Sequence, residues 1–186
     1  MRKKFVLILP LMFFAFTSLC QNLNPAPEGK AVVYFVRTSS TGFAINFSYF
    51  DSTKLIGVFN GPKYIRYECE PGQHLFWARS ENRDFVEAEL EAGKIYFIEA
   101  IVKMGAIKAA VELRPVNTDD SKKMENIFKL LNKKPSESFT EEELRNEKIR
   151  LESAIERGLE KYREEKGSGV IIPKLSKSMY YNGNCN

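Results

Sequence analysis

The chain has 186 residues, 44% of them apolar, 12% aromatic and 28% charged, which excludes collagen-like, low-complexity and wholly disordered chains because enough apolar mass exists for one core. The formal charge is +4, from 28 Lys and Arg against 24 Asp and Glu, and taken alone it suggests an anionic partner. One His and three Cys leave little material for a His-based catalytic site or a Cys/His metal cluster.

Arg2, Lys3 and Lys4 precede an apolar run from Phe5 to Phe16, the pattern of a secretory signal peptide. The run is shorter than the ~20 apolar residues of a comfortable membrane span. Ser18 and Cys20 stand at the −3 and −1 positions of a cut before Gln21, so residues 1–20 are read as the signal and Gln21 as the first mature residue. A second reading makes Cys20 the acylated first residue of a lipoprotein; Leu19 departs from it, standing where such signals usually place Gly, Ala or Ser. Removal of residues 1–20 deletes three basic residues and no acidic ones, leaving 25 against 24 and a net charge of +1. The mature composition therefore gives no case for nucleic acid. Cys69 and Cys185 remain in a compartment that permits a disulfide. Either they pair, or Cys69 is buried in a strand and Cys185 is loose.

Residues 21–29, with Pro25 and Pro27, are read as an exposed leader. A β-domain over residues 30–115 follows, in short aromatic and β-branched runs with turn signals every 8–12 residues. The runs are Ala31 to Arg37, Ile45 to Asp51, Lys54 to Asn60, Lys63 to Glu68, Gln73 to Ser80, one around Phe85, Ala88 and Leu90, Lys94 to Val102, and Ile107 to Leu113. About eight strands without a helix of crossover length predict a mainly β fold, an antiparallel β-sandwich.

Beyond Pro115 the period changes, and residues 116–166 are read as an extension of two helices. Met124, Ile127, Phe128 and Leu131 share one helical face. Thr140 with Glu143 forms a capping-box signature, with Phe139 and Leu144 in the staple positions. Leu144, Leu151, Ile155, Leu159 and Tyr162 then make a narrow apolar stripe, expected to lie against the β-domain or the first helix; pairing of two chains through it is the functional alternative. Residues 167–186 are read as a flexible tail, within which residues 170–173 are able to form a short strand or a packed arm.

Three stretches carry a resemblance: Ala31-Val-Val-Tyr-Phe-Val-Arg37; Gly57-Val-Phe-Asn-Gly-Pro-Lys-Tyr64 leading to Glu70-Pro-Gly-Gln-His74; and Ala92-Gly-Lys-Ile-Tyr-Phe97. Their order resembles the secreted bacterial β-domains of domain-of-unknown-function family 2846, over roughly residues 28–105. The resemblance implies an envelope location and a small β-sandwich, and no activity. Independently of it, Pro71 fixes φ for a turn and Gly72 supplies positive φ, while Gly57 marks a bulge or a close approach.

His74 is the sole imidazole and, after a Pro-Gly turn, reads as structural rather than catalytic. Glu87, Glu89 and Glu91 alternate with Ala88 and Leu90 as the wet side of a half-buried strand; a glycosidase-type pair among these or Glu68 and Glu70 is the minor alternative. Trp77, Tyr64 and Tyr67 are read as core rather than as a sugar platform. No catalytic, cofactor-binding or metal residue is assigned. The expectation is a non-catalytic envelope module, secreted to the periplasm or cell surface, contacting another envelope protein or a glycan, with membrane contact only through a lipid on Cys20.

Overall fold

A computed structural model describes residues 23–104 and 109–183, the side chain of Met104 excepted. Eight strands run in sequence, β1 (Ala31–Arg37), β2 (Phe47–Asp51), β3 (Lys54–Phe59), β4 (Lys63–Cys69), β5 (Gly72–Arg79), β6 (Arg83–Leu90), β7 (Ile95–Met104) and β8 (Ala109–Pro115). Two helices follow, α1 (Ser121–Lys133) and α2 (Glu141–Gly167), then a two-residue strand β9 (Lys174–Leu175) and a 3-10 turn (Lys177–Met179). The strands form two sheets, in the orders β4-β1-β7-β8 and β3-β2-β5-β6-β9.

The sandwich is mixed rather than purely antiparallel, because β1 pairs with β7 in parallel and β6 with β9 in parallel. A parallel pair needs only a long connection between its strands. Here other strands supply it: the chain leaves β1 for β2 and β3 of the facing sheet, returns to one edge of β1 as β4, builds β5 and β6 on the facing sheet, and comes back to the other edge as β7, with no helix required.

Period-two alternation sends each strand's residues to two different cores. Val33 and Phe35 of β1 join Tyr49, Phe76, Val86 and Ile98 between the sheets. Val32, Tyr34 and Val36 face outward under α1, with Phe97, Met124 and Ile127. Phe50, Trp77 and Phe85 face outward on the other sheet and are covered by Leu151, Ala154 and Ile155 of α2. All of β1 is buried because both its faces are covered. The α2 stripe therefore lies against the sheet, and the capping box at Thr140 and Glu143 forms as read.

Two segments differ from their sequence reading. The leader is not simply exposed: Leu23 and Ala26 pack on the outer core beneath α1, and Arg66 donates to the Pro25 carbonyl at 2.9 Å. The 167–186 tail, read as flexible, is held against the sandwich over much of its length: Ile172 and Leu175 are buried, β9 joins the sheet, and the Tyr181 amide donates to the Ile95 carbonyl at 2.7 Å. Gly57 does sit beside a bulge, where the β2–β3 register shifts, but it also faces the Phe139 ring, which an added Cβ would approach to 2.4 Å.

Both edges of the four-stranded sheet are occupied by polar partners from elsewhere. On β8, the Asn82 side chain accepts from the Val111 amide at 2.7 Å and donates to its carbonyl at 2.9 Å, and Asp84 accepts from the Leu113 amide at 2.6 Å. On β4, Ser136 accepts from the Arg66 amide at 3.1 Å and the Glu137 amide donates to the Tyr64 carbonyl at 2.8 Å. Such caps block edge-to-edge pairing.

Candidate functional site

Cys20, Gln21 and Cys185 lie outside the described residues, so the cleavage, lipidation and disulfide readings are not placed by the fold. Cys69 is buried, its Sγ 3.9 Å from the Ala31 carbonyl, and burial pushes the thiol up to about 12. It is a protonated core thiol rather than a nucleophile. Trp77 and Tyr67 are buried and Tyr64 is half-buried against Tyr34, consistent with core rather than a sugar platform. Among the described residues, no group of three or more His, Cys, Asp and Glu converges as metal ligands, and no helix is long and apolar enough to cross a membrane.

His74 faces inward near one end of the sandwich. Its Nδ1 lies 2.8 Å from Asp51 Oδ2 and its Nε2 2.8 Å from the Glu70 carbonyl; the Tyr67 hydroxyl donates to the same Asp51 oxygen at 3.0 Å. A carbonyl only accepts, so both contacts are satisfied together only when both nitrogens carry protons. The bond to Asp51 accordingly raises the His74 pKa, against the opposing effect of burial. A ring whose two nitrogens are both engaged has none free to serve as a base. It does make stability pH-dependent. With the folded pKa raised, the contribution is complete below the unfolded value of about 6.5 and is lost as pH rises through the folded one. The melting temperature should therefore fall between about pH 6 and about pH 8, and His74→Gln should remove most of that slope. A slope unchanged in the variant would overturn the assignment.

Glu87 and Glu89 of the alternating run, and Glu68 and Glu70 of the minor alternative, each meet a cation. Glu68 pairs with Arg66 and Glu70 with Lys30. Glu87 accepts from Tyr162 Oη and Lys166 Nζ, each at 2.6 Å, and these hold its carboxyl below the usual range. These three residues line a cleft of about 430 Å³ between the end of α2 and β9, with Gln73, Leu75 and Lys174. The cleft is polar, but its charges neutralise one another.

The other end of the sandwich carries the most unusual local structure. Arg37 continues the inward parity of Ala31, Val33 and Phe35, so its side chain enters the sandwich, where it is 0% exposed. Among the described residues it meets no carboxylate there. Its guanidinium donates to the carbonyls of Thr41 (3.0 Å), Gly42 (2.5 Å) and Ile45 (2.7 Å), and lies 4.4 Å from the centre of the Phe47 ring. Burial lowers the Arg37 pKa, yet an arginine keeps its charge at any working pH, so the three carbonyls act as its counter-charge. Tyr49 is fully buried nearby on the same strand as Phe47, and burial raises its pKa.

The consequence is a pinned loop between β1 and β2. Gly42 sits at φ +60°, and a Cβ there would come within 2.8 Å of Ile45 and 3.1 Å of Val102. Thr38 donates to the buried Glu99 at 2.6 Å, and Glu99 accepts from Lys123 of α1 at 2.6 Å. From the tip of this loop Phe43 projects with 69% of its surface exposed. The arrangement holds an exposed aromatic side chain on a loop pinned by a buried guanidinium. In the sequence Arg37 reads only as the end of the first strand, and Phe43 falls between the first two runs without a role. The available signal was parity: a charged residue ending a fully apolar strand on its inner face needs buried acceptors.

No family model, no curated protein and no solved structure matches this chain.

Proposed function

We propose that the protein is an exported, non-catalytic module of the bacterial cell envelope that binds another envelope component, a protein or a glycan, through the β1–β2 loop. The observation that carries the binding reading is the pairing of a fully buried Arg37 with a 69% exposed Phe43 on the same short loop. Burying an unpaired cation is expensive, and ordering a loop in advance lowers the entropy lost on binding. An exposed aromatic ring held in one place has the character of an interface anchor. Export is supported by the basic and apolar pattern of residues 2–16, and an envelope β-domain is what the resemblance to family 2846 implies.

The non-catalytic part of the reading is supported by the chemistry of the polar groups. His74 has both nitrogens engaged, Cys69 is held as a thiol, and Glu87 is neutralised by Lys166 and Tyr162. A lipid-anchored form is a second reading, favoured by the packed leader: Leu23 docks on the body, so an acyl group on Cys20 would hold the domain close to its membrane.

A photo-crosslinking residue at position 43, installed in the producing cell, is expected to give a discrete adduct with one envelope component. The same residue at Ile149, another exposed apolar position (65%), is the control. Adducts of equal yield and pattern at both positions would sink the loop as the binding site. Fractionation of the same cells tests export separately.

A further inference from the structure

The outward surface of α1 differs in charge from the rest of the molecule. The helix carries four lysines against one glutamate, whereas α2 carries nine glutamates against seven lysines and arginines. Lys122, Asn126, Lys129 and Lys133 are spaced by four, three and four residues, so they share one face. Met124, Ile127 and Leu130 occupy the opposite face and are buried on the sheet. The lysine stripe therefore points directly away from the core. Lys122 and Lys133 are exposed, and so is Lys134 at the C-cap. Lys129, 67% exposed, pairs with Glu125 at 2.6 Å at the edge of the stripe. Lys123 points elsewhere, to Glu99. Of the acidic residues flanking the helix, Asp120 caps its beginning and Glu137 pairs with Lys63 of β4.

A second observation orients this face. Leu23 and Ala26 pack on the outer core that α1 covers, and Pro25 is held by Arg66 of β4. Residue 23 thus sits on the same side of the sandwich as α1. The described chain begins on that side, and the sequence before it holds the apolar run Phe5 to Phe16 and Cys20.

We infer that the α1 face is a membrane-contact surface, on which Lys122, Lys129, Lys133 and Lys134 engage the phosphates of anionic phospholipid headgroups. Lys122, Lys129 and Lys133 share one face of a helix whose opposite face is buried on the sheet, so they point outward together, with the exposed Lys134 following at the C-cap. Several lysines near an anionic surface add their attractions. The inference goes beyond the loop-borne binding reading and rests on the envelope location only for the choice of membrane. Lipid contact is read on vesicles and loop contact by crosslinking, so either can fail alone.

The test is cosedimentation of the purified protein with vesicles of phosphatidylcholine, alone or with about one third phosphatidylglycerol. The anionic vesicles should bind it more tightly, and binding should weaken as salt rises from about 50 to about 300 mM. Lys122→Glu, Lys129→Glu and Lys133→Glu combined should weaken it by roughly a hundredfold or more, since each lysine contributes severalfold. The same reversal on α2, at the exposed Arg145, Lys148 and Arg163, should have little effect, although it changes net charge equally. Unchanged thermal unfolding of both triples separates binding from folding. An equal loss in the two triples, no preference for anionic vesicles, or binding to a soluble polyanion such as DNA without binding to vesicles, overturns the inference.

Discussion

Gly158→Ala is expected to lower the unfolding free energy by about 2 kcal/mol, even though alanine is the better helix former by about 1 kcal/mol. Gly158 lies inside α2, where glycine is otherwise costly, and a Cβ at that position would come within 2.5 Å of Trp77 Cη2 and 2.7 Å of Cζ3. The indole cannot yield. It is 0% exposed, stacked on Phe50 at 4.0 Å, and its Nε1 donates to the Ser52 carbonyl at 2.8 Å. The helix must lift instead, loosening Leu151, Ala154 and Ile155 from the sheet. Overpacking costs about 1–3 kcal/mol, and a pinned ring puts this site at the upper end, so sterics outweigh propensity. In a Trp77→Phe background the clashing atoms are gone. Gly158→Ala should then be neutral or stabilising, a coupling of at least about 1.5 kcal/mol in a double-mutant cycle. Denaturant unfolding of the four proteins measures it, and strictly additive effects would refute the close-approach argument.

That pair also shows where sequence reading ran out. The α2 stripe of Leu144, Leu151, Ile155, Leu159 and Tyr162 was visible at helical spacing, and its capping box formed at the residues that announced it. What covers the stripe was not visible, because Trp77 and Gly158 are 81 positions apart and a glycine inside a helix carries no mark of its partner. The eight strand runs were legible from alternation and turns, but pairing was not. Nothing local in Ala31 to Arg37 distinguishes a neighbour in β4 from one in β7, and the parallel pairing with β7 depends on a route through strands of both sheets. Two-residue β9 is below the length at which periodicity carries information, and its place is set by docking beside Glu87 and Ala88. The packed leader was obscured for a related reason: prolines oppose regular structure without opposing burial, and Leu23 and Ala26 are half-buried by contacts made with residues far along the chain.

The polar groups divide in the same way. His74 was identified as structural from its turn, and the structure supplies the physical reason, two acceptors that occupy both ring nitrogens. Asp51, the partner that makes the site titrate, is 23 positions away and read as nothing more than a strand end. The alternating glutamates were identified as an outward face, which they are, but Glu87 is tied to the last turns of α2 and serves as an anchor there. Charge alternation records which face a side chain takes and is silent about what covers that face.

Arg37→Met should cost about 3 kcal/mol and should also free the β1–β2 loop, and the second effect separates a positioning role from a merely stabilising one. Methionine fills similar volume but donates nothing, so the carbonyls of Thr41, Gly42 and Ile45 lose a shared charged donor. Each such bond to a charged group is worth about 1.5–3 kcal/mol. The full sum is not lost, because Thr41 is already exposed and the loop can open to water. Removing the buried charge also returns part of its desolvation cost. What remains is a loop that recovers its acceptors' hydration only by leaving the sandwich. Limited proteolysis should then cut within residues 38–46 at protease levels that leave the native protein intact. Arg37→Lys should fall between the two, since one ammonium cannot span three acceptors in the geometry of a guanidinium. The crosslinking residue at position 43 is the same in either background, so a loss of its adduct would come from the lost mount alone. If Arg37→Met leaves the loop as resistant to proteolysis as before and the adduct persists, the buried arginine is not what positions Phe43, and the binding reading loses the observation on which it stands.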